Sequence, residues 1–429
     1  MGRSSGRRKG RVAGAAGALV VAFALGGCTG GTIDPGEHFG AVDETIAGDT
    51  ATALQQVLDD AVILSGSSGG LAAVAAPWAG EWRGVTGSVG FDEGSPAVEP
   101  EQTFHLAGVT SEITCLLLLK LVDTGAVALD DPVDDYVTDI PGLDGITLEH
   151  LCRHTSGLAD YYPQLRVHFM QNPGRVWSPI ELISSALAAP RTGAPGQTYA
   201  YSRTNLLLLG VALERTTDRT WSDLVREYVA GPLGLTGTTL PAPSVLEQPG
   251  LIGAYAARPG PDGAPDCAAR LDSSLQSSSM GGAAGGARSQ LDDTVRLSQA
   301  LASGVLLTEH TAREQWTTAA VPGADPWVSQ GIGGMAYGPL RGLASEATGA
   351  LTAAFTDPGT GLTVVVALNN SSSGQDFVRE TAFALASIAS KTAAVSGETQ
   401  PLVELPWSVD QAKQRMQELS RCALPPAEG

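Results

Sequence analysis

Residues 103–120, TFHLAGVTSEITCLLLLK, constrain the chain more than any other stretch. They read as the end of a strand, a tight turn at Gly108, and a helix that begins near Thr110 and buries Cys115 to Leu119. A strand-to-helix corner of this kind can present a nucleophile at a helix N-terminus. There the orphan N–H groups and the macrodipole favour developing negative charge.

The pattern on either side of the corner supplies a sheet and its covering helices. Residues 49–64 place Leu54, Val57, Leu58, Ala61 and Val62 on one face of a helix. Residues 71–77 and 80–90 read as a hairpin that begins an antiparallel sheet. The string GSSGG (66–70) between them matches the G-x-S-x-G elbow of hydrolases. It follows a helix and precedes a strand, the reverse of the elbow's context, so Ser68 reads as structural. The corner helix runs to Asp123 and stops at Thr124-Gly125. Residues 257–279, rich in Pro, Gly and Ser, read as a surface loop. Helices are expected near 290–302, 376–393 and 408–422.

The ends of the chain speak to location. Arg3, Arg7, Arg8, Lys9 and Arg11 precede an apolar run from Val12 to Gly27, a targeting segment. Its end, Leu25-Gly26-Gly27-Cys28, resembles the bacterial lipoprotein signal, which implies lipidation at Cys28 as the first mature residue. A plain secretory signal or an uncleaved anchor is the bland alternative. Residues 29–48 read as a flexible tether. Loss of residues 1–27 takes the formal charge from −19 to −24. So acidic a surface argues against nucleic-acid binding and against electrostatic docking on anionic lipid. Four cysteines remain, and they allow three pairings. Cys115 and Cys152 lie in apolar runs and read as buried thiols. Cys267 and Cys422 lie in polar segments, where a bridge can form. No spacing points to a metal site, and no cofactor is expected.

Five motifs carry a family resemblance over roughly 49–394. They are the corner, VALDDPVDDYV (127–137) with ITLEHLCRHTSGLADYY (146–162), PGQTYAYSRTNLLLLG (195–210), Ala284-Gly285-Gly286 before a helix, and TDPGTGLTVVVALNN (356–370). Together they resemble the serine β-lactamase and penicillin-binding family, in the branch of class C β-lactamases, DD-peptidases and esterases. The resemblance implies an α/β fold, an antiparallel sheet of about five strands flanked by helices, with an all-helical region over 110–300. It also implies that His154 lies in a structural turn. A C-terminal extension, 395–429, lies beyond the family's usual end.

The same resemblance exposes what is missing. Gly108 stands where the family has its nucleophilic serine, and Ser111 where it has its lysine. Tyr201 keeps the tyrosine of Y-x-N, but Arg203 replaces the asparagine. Leu343-Ala344-Ser345 occupies the place of His-Thr-Gly. Acyl transfer needs an attacking hydroxyl, a base and an oxyanion site. No Ser-x-x-Lys occurs anywhere in the chain: Gly6, Leu117, Ile388 and Asp410 precede the four lysines by three residues. The expectation is a lipid-anchored extracytoplasmic protein, catalytically silent, binding a cell-wall peptide or an envelope protein. Its old cleft would be lined by Gly108, Ser111, Tyr201, Arg203, Leu343, Ser345 and Glu346, with Arg203 paired to Glu346 or free for a ligand carboxylate. The alternatives are an acyl hydrolase using Ser111 or Thr110 with Tyr201 as base, and a purely structural lipoprotein.

Overall fold

The computed structural model describes residues 1–2 and 32–425, so Cys28 lies outside the described residues. Twelve strands are seen in them: β1 Gly69–Ala76, β2 Gly80–Gly87, β3 Phe104–His105, β4 Tyr255–Pro259, β5 Pro265–Asp272, β6 Arg288–Ser289, β7 Ala319–Ala320, β8 Val328–Gln330, β9 Met335–Tyr337, β10 Leu340–Ala347, β11 Ala350–Thr356 and β12 Thr363–Leu368. Eight form one antiparallel sheet in the order β2-β1-β12-β11-β10-β9-β8-β7. The sheet is therefore wider than the five strands expected. The extra strands β7, β8 and β9 have two or three residues each, too short to leave a period-two signal.

Both faces of the sheet are buried, and the strands alternate between two cores. Leu71, Ala73 and Ala75 of β1 belong to one cluster with the helical half of the molecule. Ala72, Val74 and Ala76 belong to the other, with Leu54 and Val57 of the Gly48–Ser65 helix and Phe377 and Val378 of the Gly374–Ala389 helix. Double burial explains why β1 and β12 read as unbroken apolar runs. The corner helix spans Val109–Asp123 and is buried on nearly all sides, from Val109 through Leu119. Ser68 is structural, as expected. Its N–H donates to Asn369 Oδ1 at 3.0 Å and its hydroxyl to Ser88 O at 3.0 Å. A Cβ on the adjacent Gly69 would lie 2.5 Å from that same Ser88 carbonyl oxygen, so the hairpin needs glycine there.

Three expectations are corrected. Residues 32–48 are not a free tether. Ile33 N–H donates to Pro232 O, Thr45 bridges to Glu81, and Ile46 is buried. Residues 257–279 are not only loop, since β4 and β5 pair as a hairpin. The C-terminal extension packs on the domain, and the helix expected near 408–422 is present. Trp407 stacks on Phe383 at 3.8 Å between ring centroids, and Ala412 and Met416 of the Val409–Leu419 helix are buried in the second core. Finally, Cys115 and Cys152 are not free thiols but form a disulfide that ties the corner helix to the Leu148–Cys152 helix. Sequence spacing alone could not foresee that packing brings their Cα atoms to 5.8 Å. Cys267 and Cys422 are bridged as well, which pins the chain's last described segment to β5.

Candidate functional site

The corner meets the sheet at β10. Gly108 precedes the helix in a right-handed conformation that any residue adopts, φ −66° and ψ −9°. Its lack of a side chain is required by its neighbours instead. A Cβ there would lie 2.8 Å from Ser345 Cβ, 3.1 Å from the Tyr201 hydroxyl and 3.4 Å from Ser345 Oγ. Cβ contacts under 3.0 Å are essentially never seen in proteins. The volume a nucleophile would fill is occupied by the strand opposite and by the tyrosine.

The hydroxyls near the corner are already engaged. Ser111 Oγ donates to Gly108 O at 2.5 Å, one turn back. Thr110 Oγ1 accepts from Ala287 N–H at 3.2 Å. Both side chains are buried. Tyr201 is a poor base as well. Burial pushes its phenol up, and the opposing pull of Arg203 does not reverse the shift.

Arg203 opens the Arg203–Thr217 helix and turns into the cleft. Its Nη1 meets Asp160 Oδ2 at 2.7 Å, and the two side chains are 11% and 13% exposed. Its other terminal nitrogen donates to the backbone oxygen of Glu346 at 3.3 Å. The guanidinium lies over the Tyr162 ring at 4.2 Å. The expected Arg203–Glu346 ion pair is thus replaced by Arg203–Asp160, with only the Glu346 carbonyl used. Burial disfavours the Arg203 charge, but the Asp160 carboxylate at 2.7 Å and the Tyr162 ring face hold the group charged.

Two histidines flank this centre. His154 has φ +51° in the turn where the motifs placed it, and its ring lies 4.6 Å from that of Tyr201. Its Nδ1 accepts from Ser202 N–H at 3.2 Å. Burial, with help from Arg203, lowers it to about 4. His105 pairs across the two-stranded ladder with Arg288, and burial together with that guanidinium lowers it to about 3. Both rings are neutral at pH 7 and neither is poised to shuttle protons there.

The cavity left between these groups is about 30 Å³, lined by Gly108, His105, Arg203, Gln276 and Glu346 among others. It is room for water, well under the several hundred Å³ of a usual ligand pocket. The structure brings Gly108, Ser345, Tyr201 and Arg203 together. Ser111 sits one turn behind, and half-buried Leu343 packs against the second core and does not line the cavity. Sequence reasoning missed Asp160, Tyr162, His105 and Gln276. Asp160 and Tyr162 directly follow the HTSGL motif, the one signal that could have found them. Among the described residues no group of three or more His, Cys, Asp or Glu is placed to hold a metal ion.

Comparison with known proteins supplies kinship. A family model described as Beta-lactamase matches residues 68–388. The D-alanyl-D-alanine-carboxypeptidase/endopeptidase AmpH of Escherichia coli (strain K12) is 33% identical over 145 residues, 32% of this chain and 37% of that protein. Esterase EstB of Burkholderia gladioli is 31% identical over 209 residues, 44% of this chain and 51% of that protein. The chain thus spans about half or less of the length of these curated relatives. Among solved structures, a D-stereospecific amidohydrolase from Streptomyces sp. superposes with a TM-score of 0.65 at 27% identity, over 75% of this chain and 95% of that one. An octameric penicillin-binding protein homologue from Pyrococcus abyssi, at 20% identity and a TM-score of 0.66, covers 79% of this chain and 77% of its own. At that identity it speaks to the fold alone.

Proposed function

The chain belongs to the beta-lactamase family, and from that premise we propose that it is a catalytically silent member, lipid-anchored at Cys28 on the outer side of the cytoplasmic membrane, that works by binding. The observation that carries this reading is the filled space at Gly108. A serine there is absent, and Ser345 and Tyr201 stand where its side chain would go. The absence of any Ser-x-x-Lys supports it, as does a tyrosine whose phenol is held protonated. Two disulfides suit an oxidising compartment, and the acidic surface suits an extracytoplasmic domain. A cell-wall peptide carboxylate would have to displace Asp160 from Arg203 and enlarge a cavity of about 30 Å³. That cost favours an envelope protein, docked on the scaffold's surface, over a peptide held in the cleft.

The test is covalent labelling. The purified full chain is exposed to fluorescent penicillin and to a fluorophosphonate probe, with mass spectrometry of the intact protein. The expected outcome is an unmodified mass with both. Stoichiometric adduct on any side chain would instead establish an acyl hydrolase with a displaced nucleophile, the activity that the names of its relatives carry.

A further inference from the structure

The larger open space in the helical half is not the cleft. It is a groove with two lobes, about 240 and 400 Å³, that share Trp221, Ser222 and Leu240. Ser278 forms part of its floor and also lines the cleft cavity, so one short turn separates the two sites. The wall is apolar: Trp177 and Trp221 are almost wholly buried, and Leu207, Leu240 and Pro241 complete it.

Two charges line the groove, Arg226 in the second lobe, paired with Asp223, and Glu214 in the first. Glu214 lies near the C-terminal end of the Arg203–Thr217 helix, where the unpaired carbonyls already favour a cation. Its Oε1 accepts from Trp221 N–H at 2.7 Å and so anchors the Trp221–Val225 helix. Among the described residues its second oxygen has no hydrogen bond and no cation within 4 Å. The guanidiniums nearby are spent elsewhere: Arg175 on Glu181 and over the Trp177 ring, Arg215 on Asp139, Arg219 on Glu227 and Arg226 on Asp223. A carboxylate with one free oxygen beside two tryptophans is matched by an ammonium on an apolar body.

We propose that this groove binds a small amphipathic amine, with its apolar part against Trp177, Trp221 and Leu240 and its ammonium on the free oxygen of Glu214. The inference is independent of whether the cleft is silent, and β-lactam labelling has no bearing on it.

The test uses the full chain and three probes of one shape: phenethylamine, phenethyl alcohol and 3-phenylpropionate. Binding is read by calorimetry and by quenching of tryptophan fluorescence. The wild-type chain is expected to bind the amine at least ten-fold more tightly than the alcohol, and the acid least. Glu214→Gln keeps an oxygen for the Trp221 N–H, and is expected to reduce the amine to the level of the alcohol. Val211→Trp fills the first lobe and is expected to abolish binding of all three. Equal binding of amine and alcohol by the wild type, no binding of the amine, or undiminished binding by Val211→Trp would each overturn the proposal.

Discussion

The proposal of a silent cleft turns on Gly108, and substitution there is informative. Gly108→Ser supplies the missing hydroxyl but drives a Cβ to 2.8 Å from Ser345. Overpacking of this kind costs about 1–3 kcal/mol. Denaturant unfolding is expected to show that loss, and Ser345→Gly in the same chain to return part of it. Neither variant is expected to take a penicillin label, because no amine stands one turn on. The buried histidines make a second prediction. An unfolded histidine titrates near about 6.5, whereas His154 and His105 are lowered to about 4 and about 3. Below about 6.5 the unfolded state binds more protons, so their contribution is complete above that pH and is lost as pH falls toward the folded values. Each lowers stability by up to about 1.4 kcal/mol per pH unit across its window. Urea titrations at pH 7, 6 and 5 measure the slope. His154→Asn, a residue that tolerates φ +51°, should remove one histidine's share of it. An unchanged slope in that variant would show that His154 is not the group that titrates.

At the scale of elements, the two disulfides brace unlike parts of the fold. Cys115–Cys152 spans 37 residues and joins two helices inside the helical half. Cys267–Cys422 spans 155 residues and holds the C-terminal segment against the exposed β5 strand. Chain entropy assigns such loops about 4 and about 5 kcal/mol. Replacing either pair by serines is expected to cost about 2–5 kcal/mol, read as the shift between oxidised wild type and variant. The C-terminal pair should lie at the high end, because it closes the longer loop of the unfolded chain. A loss for that pair smaller than the loss for Cys115–Cys152 would show that loop length does not set the cost.

For the whole molecule, the proposals on location can be checked by fractionation. Cys28→Ser is expected to move the protein from the detergent phase to the aqueous phase and to leave an unlipidated mass. Retention in the detergent phase would point to an uncleaved anchor. No helix of the described residues is long and apolar enough to cross a membrane. The sheet is the scaffold that survives whatever the cleft does. Its strands β1 and β12 pair the start of the family-matched region with a segment near its end, so one long-range pairing closes the domain.

The sequence by itself determined the fold family and the absence of any Ser-x-x-Lys. Strand and helix patterning and the glycine at the corner are local properties, and the family motifs sit on the strands and turns that need them. The missing Ser-x-x-Lys is likewise a fact of residue order. Tertiary structure alone decided three further matters. Arg203 chose Asp160 rather than Glu346, because ion pairing depends on which side chains meet in space. Cys115 met Cys152, because helix packing sets distances that spacing along the chain does not. Ser345 and Tyr201 closed the space at Gly108, because a side chain's neighbours across a sheet come from residues more than ninety positions away.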